Sequence, residues 1–143
     1  MRGFTTVEMI VVMVLTAILA AVALPRLTAR TPLQERGARD HVKGMLTHVR
    51  QVAVAQQRET CVLATPTQVR AVYVTGGACN PARPLSMPGS NEPYLIDMPT
   101  GVAMGGAAQV RFNARGQPVP AANATLTVGN LTLTVTRETG LVQ

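Results

Sequence analysis

Few residues in this chain are of a type and spacing that could do chemistry. The first is Glu8, a carboxylate near the start of an apolar run from Phe4 to Leu24. Such a charge costs on the order of 2.5–3.5 kcal/mol at the centre of a membrane helix and less near its ends, so it usually has a partner and a task. The second set is Cys61 and Cys79, the only cysteines. The third is His41 and His48, which lie about 10.5 Å apart along a helix axis and cannot share one metal ion unless another element comes between them. They read as surface histidines. Two cysteines with no third ligand nearby do not make a metal site, and no cofactor is implied. Five acidic residues lie beyond Glu8 and Glu35, and none forms an acid–base motif with a histidine. No catalytic residue is assigned, and an enzyme is the least supported class.

The basic residues are more numerous. Of 13 Lys and Arg, 12 are Arg, and the formal net charge is +6. Such a balance suits nucleic acid, an anionic membrane surface, or simply a solvated surface of one dominant sign. The arginines are scattered from Arg26 to Arg137 without a run of five, which is the pattern of a solvated surface.

These residues must be positioned by two kinds of element. From Phe4 to Leu24 the chain is long enough, at 1.5 Å rise, for about 31 Å of helix, the thickness of a bilayer core. Pro25 breaks this pattern and Arg26 ends it. The stretch fits a secretory signal peptide cut near Ala21-Val22-Ala23, a single-span anchor, or a specialised export signal. Beyond it, Val42, Met45, Leu46, Val49, Val52 and Ala53 recur at helical spacing, with Arg39, Asp40, Lys43, Thr47, Arg50 and Gln51 opposite. This predicts an amphipathic helix packed on a sheet, with Pro25, Pro32 and Gly37 kinking or loosening the chain before it.

After Arg58 the periodicity turns to strands: Cys61–Ala64, Gln68–Thr75, short pieces at Tyr94–Met98 and Val102–Met104, then Gln109–Asn113, Ala124–Val128 and Leu131–Thr136. Gly129-Asn130 signals a tight hairpin between the last two. Gly76 to Pro81 reads as a loop that continues irregularly from Pro84 to Pro93. The whole chain has four Phe and Tyr residues and no Trp, so the core of the head is aliphatic. An even cysteine count downstream of an export-type segment suggests a Cys61–Cys79 disulfide in an oxidising compartment, with two free buried thiols as the alternative. The disulfide would stabilise the head by about 3 kcal/mol on the chain-entropy view.

Gly3-Phe4-Thr5, then Glu8 and a long apolar helix ending in proline, resembles the prepilin signal of type IV pilins and type II secretion pseudopilins. The resemblance implies a leader of residues 1–3, cleavage between Gly3 and Phe4 by the prepilin peptidase, and N-methylation of Phe4. It also implies a transmembrane and fibre-core helix over 4–25, its amphipathic continuation over 26–58 and a β-rich head over 59–143. The fold class is then α+β, a long N-terminal helix packed on a small antiparallel sheet. Glu8 would meet the N-terminal amine of a neighbouring subunit and set helix register, since an unpaired buried charge is not tolerated. Thr6 departs from the pattern, which usually has a larger aliphatic residue there.

The stretch from Val110 to Val142, with RFNARGQP, a hairpin and TLTVTRETGLV, is similar to the GspH/FimT group of minor pseudopilins. This implies a minor subunit at or near the tip of a type IV pilus or type II secretion pseudopilus. Its partners would be other pilin subunits, the peptidase and inner-membrane lipid. It would sit in the bacterial inner membrane with its head in the periplasm, and then in the fibre. A second reading is a DNA-binding minor pilin using Arg111, Arg115 and Arg137, although the final TRETGLVQ carries no dense basic run. A major pilin fits less well, because both cysteines lie in the first half of the head. A soluble exported protein would start near Leu24 with no methyl group.

Overall fold

The computed structural model describes the backbone of residues 5–28 and 30–143, and the side chains of 5–20 and 32–143. The chain divides into two units, Met1–Leu33 and Gln34–Gln143.

The first unit contains helix α1, Thr6–Thr28. Its composition explains its form: Val, Met, Ile, Leu and Ala fill nearly every position, and none of the described residues is buried. Val7, Ile10, Met13 and Leu19 are each more than half exposed. The helix does not stop at Pro25 as the sequence pattern suggests, but continues to Thr28. The expected leader, residues 1–3, lies outside the described residues.

Helix α2, Arg30–Ala55, carries Pro32 in its first turn, where the missing N–H would have had no intrahelical partner. Within the second unit its face is the predicted one. Val42, Met45, Leu46, Val49 and Ala53 are fully buried, Ala38 joins them, and Val52 is partly buried. The helix gives way after Ala55, and Gln57 takes a positive φ of 51° at the turn into the first strand.

The strands fall into two antiparallel sheets. The first contains β1 (Thr60–Ala64), β2 (Gln68–Thr75), β3 (Ala78–Pro84), β4 (Leu95–Asp97), β6 (Gln109–Phe112) and β7 (Pro118–Val119), in the order β3-β2-β1-β6-β7 with β4 also on β2. The second contains β5 (Met104–Gly106), β8 (Ala124–Val128) and β9 (Leu131–Val135), in the order β5-β8-β9. The predicted hairpin turns at Gly129-Asn130, with Val128 opposite Leu131. Alternation does the rest. Leu126, Val128, Leu133 and Val135 are buried, while Thr125 faces Thr134 and Thr127 faces Thr132 on the wetter face.

The core joins α2 to both sheets through Val62, Val69, Val110, Phe112, Leu126 and Leu133. Phe112 is the one large aromatic in it; the remainder is aliphatic, as the composition requires. Thr60, the one polar residue fully buried there, donates its hydroxyl to the Val49 carbonyl at 3.1 Å and ties the start of β1 to α2.

Strand β3 corrects the sequence reading, which placed a loop over Gly76–Pro81. Prolines at 81 and 84 hide it from strand propensity. They are accommodated because β3 is an edge strand, and its pairing with β2 is interrupted by a register shift between Val72 and Val74.

Candidate functional site

Glu8 lies in the first turn of α1 and is exposed in the single chain. The turn is capped by Thr5. Its hydroxyl accepts the Glu8 N–H at 3.3 Å and its carbonyl accepts the Met9 N–H at 3.2 Å. Thr5-x-x-Glu8 therefore has the spacing of a capping box, with the carboxylate at the positive end of the helix dipole. This local role is legible in the sequence as Thr followed three residues later by Glu. The helix dipole favours a negative charge at this end, typically by about 0.3–1 kcal/mol. Among the described residues no donor reaches the Glu8 carboxylate oxygens. Gly3 and Phe4, the expected scissile pair, lie outside the described residues.

Along α1 the single polar interruption after Glu8, up to residue 20, is Thr16. Its hydroxyl lies 2.9 Å from both the Val12 and the Met13 carbonyl oxygens. The donor is consumed within the helix, as an apolar surround demands. Among the described residues no helix is long and apolar enough to cross a membrane. The expected span over 4–24 continues past residue 20 into residues whose side chains lie outside the described set.

Cys61 and Cys79 are joined as a disulfide with a Cα–Cα distance of 5.7 Å. The bond links β1 to β3, which are two strands apart with β2 between them. It holds the proline-bearing edge strand where backbone pairing alone is interrupted.

The three arginines assigned to nucleic acid have different surroundings. Arg111, on β6, gives Nη2 to the Glu59 carboxylate at 2.7 Å, and its side chain is only 22% exposed. It is committed to that pair. Arg115 is exposed in the turn Asn113–Gln117, where the Asn113 side chain accepts the N–H groups of Arg115 and Gln117 at 2.9 and 3.0 Å. Arg137 is exposed next to Glu138, at 3.7 Å. Tertiary packing brings the last two turns together. Gln117 donates its side-chain amide to the Glu138 carbonyl at 3.1 Å, and Arg50 Nε donates to the Gly116 carbonyl at 3.3 Å. Arg50 belongs to α2 and was read from the sequence only as one member of its polar face.

An open hollow of about 640 Å³ lies between His41 and Gly44 of α2 and the segment from Met87 to Asp97. Tyr94 lines it and takes His48 edge-on, with ring centroids 5.7 Å apart. Burial pushes the Tyr94 phenol above its ordinary value. Among the described residues neither histidine hydrogen-bonds a carboxylate, and no three His, Cys, Asp or Glu residues group as metal ligands.

No protein-family model matches the sequence, and no curated protein does. Two crystal structures of the type IV minor pilin FimU of Pseudomonas aeruginosa match the fold at 18% identity. One covers 76% of this chain and 90% of the other with a TM-score of 0.57; the second covers 82% and 90% with a TM-score of 0.59. This chain therefore has the type IV pilin-like fold, an N-terminal helix with an antiparallel β head.

Proposed function

We propose that this chain is a minor subunit of a type IV pilus or related pseudopilus. On this reading it is cut between Gly3 and Phe4, N-methylated on Phe4, and assembled through α1. The observation that carries the proposal is the combination of a pilin-like head with a helix whose described apolar side chains have no cover in the single chain. About 50–70% exposure of Val7, Ile10, Met13 and Leu19 is not stable in water. Lipid before assembly and neighbouring helices after it would remove that surface from water. Glu8 would then be the polar group of an otherwise apolar bundle. On the first turn it would meet a neighbour's terminal amine, and a wrongly staggered helix would leave two charges unpaired. Structural subunits of this type do no chemistry themselves, in keeping with the absence of an acid–base motif from the sequence.

N-terminal sequencing of the protein isolated from its source cells tests the reading. The expected first residue is methylated Phe4. A start near Leu24, or an intact Met1, would overturn it. Glu8→Ala should still be cleaved but enter fibres poorly; normal incorporation would remove the register role.

The DNA-binding alternative has one observation in its favour, the adjoining turns that carry Arg115 and Arg137. With Arg111 engaged by Glu59 and Glu138 beside Arg137, the positive surface offered to phosphates is thin.

A further inference from the structure

The second flank of α2 carries a feature that the assembly reading does not use. Arg36, Arg39, Lys43 and Arg50 fall within about 60° of one another around the helix axis and span about 21 Å along it. Arg36 is exposed, and Arg39, Lys43 and Arg50 are half-buried. At its C-terminal end this row runs into the two joined turns. Arg50 Nε is held by the Gly116 carbonyl and also lies 3.1 Å from where a side chain on Gly140 would begin. Arg115 and Arg137 extend from those turns. The result is a row of basic residues drawn from three separate parts of the sequence, with Asp40 beside Arg39 and Glu138 beside Arg137.

We infer that this ridge docks an acidic face on a different protein subunit of the same fibre. This rests on the assembly reading above. The choice of partner follows from charge. Between residues 34 and 143 there are ten Lys and Arg against six Asp and Glu, a head of net +4. A second copy carries the same net positive charge, which opposes its association. The ridge therefore disfavours stacks of this chain alone and selects a neighbour of opposite sign. Duplex DNA fits the ridge less well. Asp40 lies 3.7 Å from Arg39, and Glu138 lies 3.7 Å from Arg137. A continuous line of phosphates would meet both carboxylates, whereas a protein face can space its acidic side chains around them.

The test replaces Arg36 and Lys43, which carry no contact that holds the head together. The full-length Arg36→Glu/Lys43→Glu variant is expressed in source cells beside wild type and Arg83→Glu, a reversal on the exposed edge strand β3. Sheared fibres and membranes are compared by quantitative immunoblot. The double variant should fall at least about tenfold in the fibre fraction, as like-charge apposition implies, with the membrane pool unchanged; Arg83→Glu should stay within about twofold, as expected of a surface charge outside the contact. Incorporation of the double variant at the wild-type level overturns the proposal. So does loss of binding to a 30-base-pair duplex by the detergent-solubilised double variant at low salt while fibre entry is retained, since DNA would then be the ligand. Wild type missing from fibres would instead overturn the assembly reading, and the ridge assignment with it.

Discussion

Gly140 shows how much one residue can decide. Its φ is +65°, in the left-handed region, and its backbone rests against the Gly116 carbonyl, with Arg50 alongside. A Cβ there would collide with backbone, which cannot move aside as a side chain can. Gly140→Ala should therefore destabilise the head by about 3 kcal/mol, from left-handed strain plus overpacking. Gly76 has a similar φ of +61° but nothing within 4 Å of the added atom, so Gly76→Ala should cost only about 1 kcal/mol. Urea unfolding midpoints of the two variants would check this. Equal losses would mean that the turn-on-turn contact adds nothing. From the sequence, Gly140 was legible as a turn residue; its close approach to Gly116 was not, because the two are 24 positions apart. At Glu8 the cap was legible from Thr5, three residues before it.

At the scale of elements, α2 and the hairpin β8–β9 were the clearest. Their hydrophobic spacing repeats long enough, at 3.6 and 2 residues, to leave one solution. Strand β3 was not legible, because its prolines contradict strand propensity and it is held by position on the sheet edge and by a covalent bond. That bond makes a prediction. Cys61→Ser/Cys79→Ser should lose about 3 kcal/mol, given a sequence separation of 18. The loss should be local first. Hydrogen exchange should show Ala78–Pro84 exposed before β1, β2 and β6, whose pairing runs without interruption between β1 and its two neighbours. Uniform loss of protection across the sheet would mean that the bond supports the whole head and not its edge.

For the molecule as a whole, the division at Leu33 and Gln34 separates an apolar helix from a unit with its own core. The core residues, from Ala38 to Val142, all lie in the second unit. A chain of residues 34–143 should therefore fold alone, with a cooperative thermal transition and mixed helix and strand signals in far-ultraviolet circular dichroism. An unfolded or aggregated fragment would show that α1 supports the head. The net charge of +6 was plain in the sequence, where the scattered arginines resembled an ordinary solvated surface. Folding brings Arg50 to the joined turns that carry Arg115 and Arg137 and leaves Arg111 tied to Glu59.

The sequence by itself determined the buried face of α2 and most strands, because periodicity and turn residues act over short distances; it suggested the cysteine pair, and the α+β fold class came with the resemblance to type IV pilins. The tertiary structure alone decided the split into two sheets, the strand status of β3, and the meeting of Arg50 with the turns of Arg115 and Arg137. Those depend on which distant segments share a core, and hydrophobic pattern says which side of an element is buried without saying what it is buried against.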